Sequence, residues 1–192
     1  SISASMPMSA SDRAGMFLLC LSFIMMQCYH DCILTANRKR IYEMSDFTHF
    51  DEKGNAYMVD VSEKDITKRT ATAKGSISVS RDVMDSIIGR TIKKGDVLTV
   101  AQIAGIMGTK RTSDLIPMCH PLSLTNAKVT FDIDEDVCTI TAICTAVCAG
   151  KTGVEMEALM GASIGLLTIY DMCKSMDKRM VISGIHLVEK SG

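Results

Sequence analysis

The hydrophobic pattern changes period several times along the chain, and each change marks an element. Tyr57 to Ser62 (YMVDVS) alternates apolar and polar positions after a turn at residues 51–55, which predicts a short strand. Lys68 to Ser80 alternates again, through Thr70 and Thr72 and then through Ile77 and Val79, with an irregularity at Gly75 where the phase changes. Ser80 is placed to cap a short helix, Arg81 to Ile88, that Gly89 ends. Lys94-Gly95-Asp96 turns into a longer helix, about Val97 to Lys110, whose Gly and Ala residues let a neighbour press close. Thr112 and Ser113 cap a single turn before Ile116-Pro117. Ala127 to Asp134 and Val137 to Ala149 read as two strands joined by the acidic turn Asp134-Glu135-Asp136. A long helical run follows, and Met180 to Val188 (MVISGIHLV) makes the last strand. The order β-β-α-α-β-β-α-β predicts an α+β fold, a ferredoxin-like antiparallel sheet with helices packed on one face.

The long helical run organises the rest. It opens on Gly150-Lys151-Thr152-Gly153, with Thr152 or Gly153 as N-cap and Glu155 and Glu157 in the first turn, where the helix dipole favours negative charge. Met156, Leu159, Met160, Ile164, Leu166, Leu167 and Ile169 then fall on every side, so burial all round is expected. Tyr170, Asp171, Lys174 and Lys178 stand at the far end. Glu157 and Asp171 are too far apart to meet on one helix, at about 21 Å for a rise of 1.5 Å per residue. If both ends carry chemistry, either another element bridges them or a second copy of the helix runs antiparallel beside the first. The second arrangement is a symmetric dimer with shared sites.

Composition changes this picture little. At 192 residues and 47% hydrophobic, the chain suits one domain with an appendage. A formal charge of −1 gives no reason to expect nucleic acid or a membrane surface, so any anion site must be a local cluster. The 8 cysteines are irregularly spaced, which suits reduced thiols in the cytoplasm better than a disulfide scaffold. Cys138, Cys144 and Cys148 alternate in phase with Ile140, Ala142 and Ala146, as small apolar strand residues do. Residues 1–43 do not match the rest and read as an N-terminal extension, natural or artificial, before a domain at 44–192. Its apolar run, Met16 to Met26, is too short to span a bilayer and is expected to pack on something. Cys28, His30 and Cys32 lack a second ligand pair at zinc spacing.

Several motifs invite chemistry and fail a spacing test. Gly150-Lys151-Thr152 resembles the end of a P-loop, but the Gly required five residues earlier is Thr145. Lys151 beside free helix N–H groups can hold a phosphate all the same. Asp132, Asp134 and Asp136 lack the Gly and Glu of a calcium loop. LIPMCHPL is more specific: Pro117 and Pro121 hold Cys119 and His120 in an irregular segment. His120 is then either a buried histidine bonded to a backbone carbonyl or a site residue, and Cys119 reads as packing.

Three stretches, KRTSDLIPMCHPLSLT, GKTGVEMEAL and LTIYDMCK, together resemble the MoaC family, the cyclic pyranopterin monophosphate synthases of molybdenum cofactor biosynthesis. The resemblance runs from Phe47 to Gly192 with the motifs in the same order. It implies conversion of a 3′,8-cyclised dihydroguanosine triphosphate to cyclic pyranopterin monophosphate with release of diphosphate. It also implies a cytoplasmic homohexamer, a trimer of dimers with sites at the dimer interface, and no cofactor or metal ion. On this resemblance Lys94, His120, Asp171 and Lys174 are the catalytic residues. Arg69, Cys119, His120, Lys151, Glu155, Met156, Glu157 and Lys178 bind the substrate.

These roles suit the residue types. A triphosphate demands a cluster of cations, and a rearrangement that opens and recloses a ring demands paired acids and bases. Lys94 and Lys174 are the proton-transfer candidates, their pKa values expected to fall beside other cations, with Asp171 orienting Lys174 from three residues away. Two other readings stand beside the enzyme: a pterin or nucleotide carrier without chemistry, and a purely structural oligomer in which these residues do not cluster.

Overall fold

The structure, a computed structural model, describes residues 55–192. The extension at 1–43, its apolar run and its Cys28, His30 and Cys32 lie outside the described residues. The elements are β1 (Thr67–Ser78), α1 (Arg81–Ile88), α2 (Val97–Thr109), α3 (Thr112–Leu115), β2 (Leu124–Asp134), β3 (Thr139–Gly150), α4 (Glu155–Cys173) and β4 (Val181–Ser191). The strands form one sheet in the order β2-β3-β1-β4, antiparallel at every pairing. β1 and β2 therefore run parallel with β3 between them, the split βαβ arrangement of a ferredoxin-like fold.

The local signals of the helices hold. Ser80 Oγ accepts the Val83 N–H at the start of α1, Gly89 closes that helix, and Asp96 caps α2 through the Thr99 N–H. One expected strand is absent. Tyr57 to Ser62 lies outside the sheet, and only Ala56 makes an isolated bridge. β1 is flanked by β3 and β4, so no free edge stands beside the strand that follows this segment. Its carbonyls at Val59 and Ser62 instead accept from side chains of the site described below.

Alternation in the strands sorts the sheet into two faces. Ala71, Ala73 and Ile77 of β1, Val129 of β2, and Ile140, Ala142, Cys144, Ala146 and Cys148 of β3 are buried. They meet Ala158, Ala162, Leu166 and Ile169 of α4, and Val83, Met84 and Ile87 of α1 complete the core. On the other face, hydroxyls pair across strands, Thr72 with Thr145 and Ser76 with Thr141, each at 3.0 Å. Cys144 and Cys148 behave as the small apolar residues expected of them, whereas Cys138 precedes β3 with a φ of 50°. The five cysteines of the described residues are free thiols.

α4 lies close against both the sheet and α2 because glycines remove the intervening side chains. A Cβ on Gly105 would stand 2.8 Å from the Gly161 carbonyl, and one on Gly161 would collide with Cys144 Sγ. At Gly75 a Cβ would meet Ile185 at 2.7 Å, where the pairing of β1 with β4 slips register. α4 is long and apolar enough to cross a membrane by length and composition, but it packs as the core helix of the fold. Its burial is not all round, contrary to what its composition suggests. Met156 and Leu167 of α4 remain exposed, as do Val100, Ile103 and Met107 of α2. Within one chain the sheet and α2 cover only part of α4's circumference.

Candidate active site

The site residues divide between the two ends of α4. At its N-terminal end, the loop from β3 arrives beside β1 and β4. Register places Arg69 opposite Cys148, and Ala71 opposite Lys190. The result is a cavity of about 350 Å³ lined by Lys64, Arg69, Lys151, Glu155, Lys190 and Gly192, among others. Four cations face one carboxylate there. Arg69 Nε donates to the Gly150 carbonyl at 3.5 Å, Lys151 Nζ to the Ser62 carbonyl at 2.5 Å, and Lys190 Nζ to Glu155 Oε1 at 2.8 Å. α4 begins at Glu155 after Val154, later than the expected Thr152 or Gly153, and no side chain caps it. The pocket beside this helix start is cationic, which favours an anion.

The two glutamates of the first turn differ in surroundings. Partial burial works to raise Glu155, but the Lys190 hydrogen bond, the residue's own N–H and the Lys190 and Arg69 charges outweigh it and hold the carboxyl below its ordinary range. Glu157 is buried, only 4% exposed. Burial pushes its carboxyl up, the Glu155 charge adds to the rise, and its own N–H opposes it. Cys119 and Cys148 are its neighbours: burial raises both thiols and the Glu157 charge raises them further. A raised thiol is a poor nucleophile, in keeping with Cys119 as packing. His120 Nε2 lies 2.9 Å from the Val59 carbonyl, and Met156 is exposed beside Glu155 on the helix.

At the C-terminal end of α4, Lys94 Nζ donates to the Asp171 carbonyl at 3.0 Å and Lys174 Nζ to Asp171 Oδ1 at 2.5 Å. Tyr170 OH donates to the Lys178 carbonyl at 3.0 Å. Lys94, Asp171 and Lys174 thus meet, brought from the α1–α2 loop and the last turn of α4, with the lysine charge well placed against the helix dipole. The protonation differs from the sequence expectation. Lys174 is raised, first by the hydrogen bond it donates to Asp171 and then by that residue's charge, while the same pair lowers Asp171. The dominant neighbour is an anion rather than a cation, and both side chains are more than half exposed, so desolvation adds little.

One chain therefore gathers Arg69, Cys119, His120, Lys151, Glu155, Met156 and Glu157 at one end, and Lys94, Asp171, Lys174 and Lys178 at the other. It does not join the two groups, which α4 holds about 21 Å apart at 1.5 Å per residue. Sequence reasoning also missed Lys64 and Lys190. The pairing of β4 with β1 brings Lys190 beside Arg69, and a long-range pairing of that kind leaves no local signal.

An α+β domain with a cationic pocket at one end of its core helix and an acid–base pair at the other defines a protein built to handle a phosphorylated small molecule. The chain belongs to the MoaC family, whose model matches residues 58–192. It is similar to the cyclic pyranopterin monophosphate synthase of Desulforapulum autotrophicum, at 56% identity over 149 residues, 78% of this chain and 91% of the relative. It also resembles those of Staphylococcus carnosus, at 57% over 150 residues (78% and 93%), and Halalkalibacterium halodurans, at 54% over 151 residues (78% and 92%).

Proposed function

We propose that this chain is itself a cyclic pyranopterin monophosphate synthase. It converts 3′,8-cyclised dihydroguanosine triphosphate to cyclic pyranopterin monophosphate and diphosphate. The observation that carries this reading is more than half identity to such synthases over nine-tenths of their length, and a cation-lined pocket suited to a triphosphate supports it. Arg69, Lys151 and Lys178 hold the triphosphate. A ribose hydroxyl attacks the α-phosphorus, the bond from that phosphorus to the bridging oxygen breaks, and diphosphate leaves. Asp171 keeps Lys174 charged in the single chain, and Lys174 serves as a proton donor when the purine-derived ring opens, once enclosure by a partner brings its pKa down. Lys94 and His120 complete the proton transfers, and Asp171 orients Lys174. Cys119, Glu155, Met156 and Glu157 contact the substrate, with Glu157 toward the ring and Glu155 supporting the pocket.

The working unit in this reading is a cytoplasmic homohexamer, a trimer of dimers. Each α4 runs antiparallel to a partner's, so that one chain's Lys94, Asp171 and Lys174 meet the other's Glu155 and Lys151. Two features support it: the separation of the two groups along α4, and the exposed Met156, Leu167, Val100, Ile103 and Met107 on the helical layer. A monomer in light scattering at micromolar concentration would sink it. The activity is tested by incubating the purified chain with the cyclised nucleotide and detecting the pyranopterin and diphosphate by mass spectrometry. Tight binding without product would mean a carrier instead.

A further inference from the structure

Residues 57–64 reach the site without belonging to the sheet. Asp60 Oδ1 accepts the Ser62 N–H at 2.8 Å, and the Lys64 N–H closes a turn onto the Val61 carbonyl at 3.1 Å. Shaped this way, the segment presents two carbonyls to the site: Val59 O lies 2.9 Å from His120 Nε2, and Ser62 O lies 2.5 Å from Lys151 Nζ. A carbonyl oxygen only accepts, so the hydrogen of His120 stands on Nε2. In the neutral ring, Nδ1 then carries the lone pair. Lys151 has three ammonium hydrogens, and the one given to Ser62 leaves two for phosphate oxygens.

We propose that Asp60 is a positioning residue of this site. Through the turn it builds, it sets His120 as the Nε2–H tautomer, with Nδ1 left to act toward the substrate, and it steadies Lys151 at the phosphate pocket. The effect on turnover rests on the synthase reading; the effect on the tautomer does not. Asp60 itself is exposed and acts through the backbone of its neighbours. Its carboxyl is held below the ordinary range, chiefly by its hydrogen bonds from Ser62 with the Lys151 charge helping, so it stays ionised as an acceptor.

The test uses the full chain with ¹⁵N-labelled histidine, the His120 signals being assigned by their loss in His120→Gln. The wild type should show a protected Nε2–H and an unprotonated Nδ1. Asp60→Asn, which keeps an acceptor oxygen, should preserve that signal and turnover. Asp60→Ala should lose the protected Nε2–H and lower kcat about tenfold, the scale of a small misplacement of a working group, with KM changed less. An unaltered thermal midpoint in Asp60→Ala shows that the fold survives. A wild type with its hydrogen on Nδ1 overturns the proposal, as does an Asp60→Ala protein with an intact Nε2–H signal and wild-type kcat. If the wild type turns over no cyclised nucleotide, the synthase reading fails and the spectra alone decide the role of Asp60.

Discussion

The two ends of α4 carry the same kinds of residue, carboxylates and lysines, in opposite physical settings. At the N-terminal end the pocket has walls: β1, β4 and the loop before α4 surround it, and Glu157 is almost wholly buried. At the C-terminal end the Asp171–Lys174 pair is more than half exposed. The carboxyl groups respond in opposite directions, Glu157 pushed up by burial and Asp171 pulled down by Lys174. One end thus has the enclosure that binding requires, and the other has charged groups without enclosure. Acid–base groups gain their tuning from a dry, shaped environment, which the isolated chain does not give to Lys94 and Lys174. The difference teaches that one chain carries two unlike groups of candidate site residues, which the antiparallel dimer proposed above would bring together.

The largest expected effect tests that conclusion. Lys174→Ala should lower turnover by about 10²–10⁴-fold, the range for a lost proton-transfer group, with less effect on substrate affinity. Mixing inactive Glu155→Ala chains with inactive Lys174→Ala chains should restore part of the activity, because mixed dimers regain one unmutated site. If subunits demonstrably exchange and no activity returns, the ends do not share a site. Next in size, Arg69→Ala should weaken diphosphate binding by about 1.5–3 kcal/mol, the range for a charge-assisted hydrogen bond, with little change in kcat at saturation. Calorimetric titration measures it, and an unchanged affinity would remove the phosphate from the N-terminal pocket. Between the ends, Gly161→Ala should cost about 1–3 kcal/mol of stability in denaturant unfolding, as overpacking does, because its Cβ meets Cys144 Sγ and approaches Thr109 Cγ2 to 2.7 Å.

The smallest effect compares the two carboxylates directly. Glu157 has a folded pKa above its unfolded value of about 4.5. It therefore favours the folded state at pH values below 4.5, and that contribution is lost as pH rises through the raised folded value. Glu157→Gln should flatten the decline of stability across that window. Asp171 has a folded pKa below its ordinary 3.8. Its contribution is present above 3.8 and lost as pH falls through the lowered value, so Asp171→Asn should flatten the acid side instead. Unfolding followed from pH 3 to 8 checks both signs, and matching curves for the two variants would erase the contrast between the ends.

How much of this was legible depended on the range of each signal. The cap at Ser80, the stop at Gly89 and the alternation of β3 are local, and they reappear in the structure within a residue or two. The MoaC motifs carried the family, and with it the candidate site residues. Tyr57 to Ser62 misled because alternation reports a two-faced segment and not whether a partner strand has room for it. The start of α4 was misplaced because Thr152 resembles a cap while the helix takes none. Lys190 was invisible because only the pairing of β4 with β1 brings it to Arg69. The pKa of Lys174 went the other way because sequence shows that cations abound but not which neighbour touches first.

The place of β1 at the centre of the sheet also governs how the molecule comes into being. It is the first strand in chain order, yet both its neighbours come later, so it waits unpaired while the intervening chain is made. Ser76 meets Thr141 across 65 residues, and Thr72 meets Glu189 across 117. Pairings over such separations close slowly, because the entropy of a long loop is lost before any contact offsets it. The walls of the pocket at the start of α4 are drawn from β1 and from β4, the most distant pair in the sequence. The pocket is therefore not complete until β4 has paired with β1.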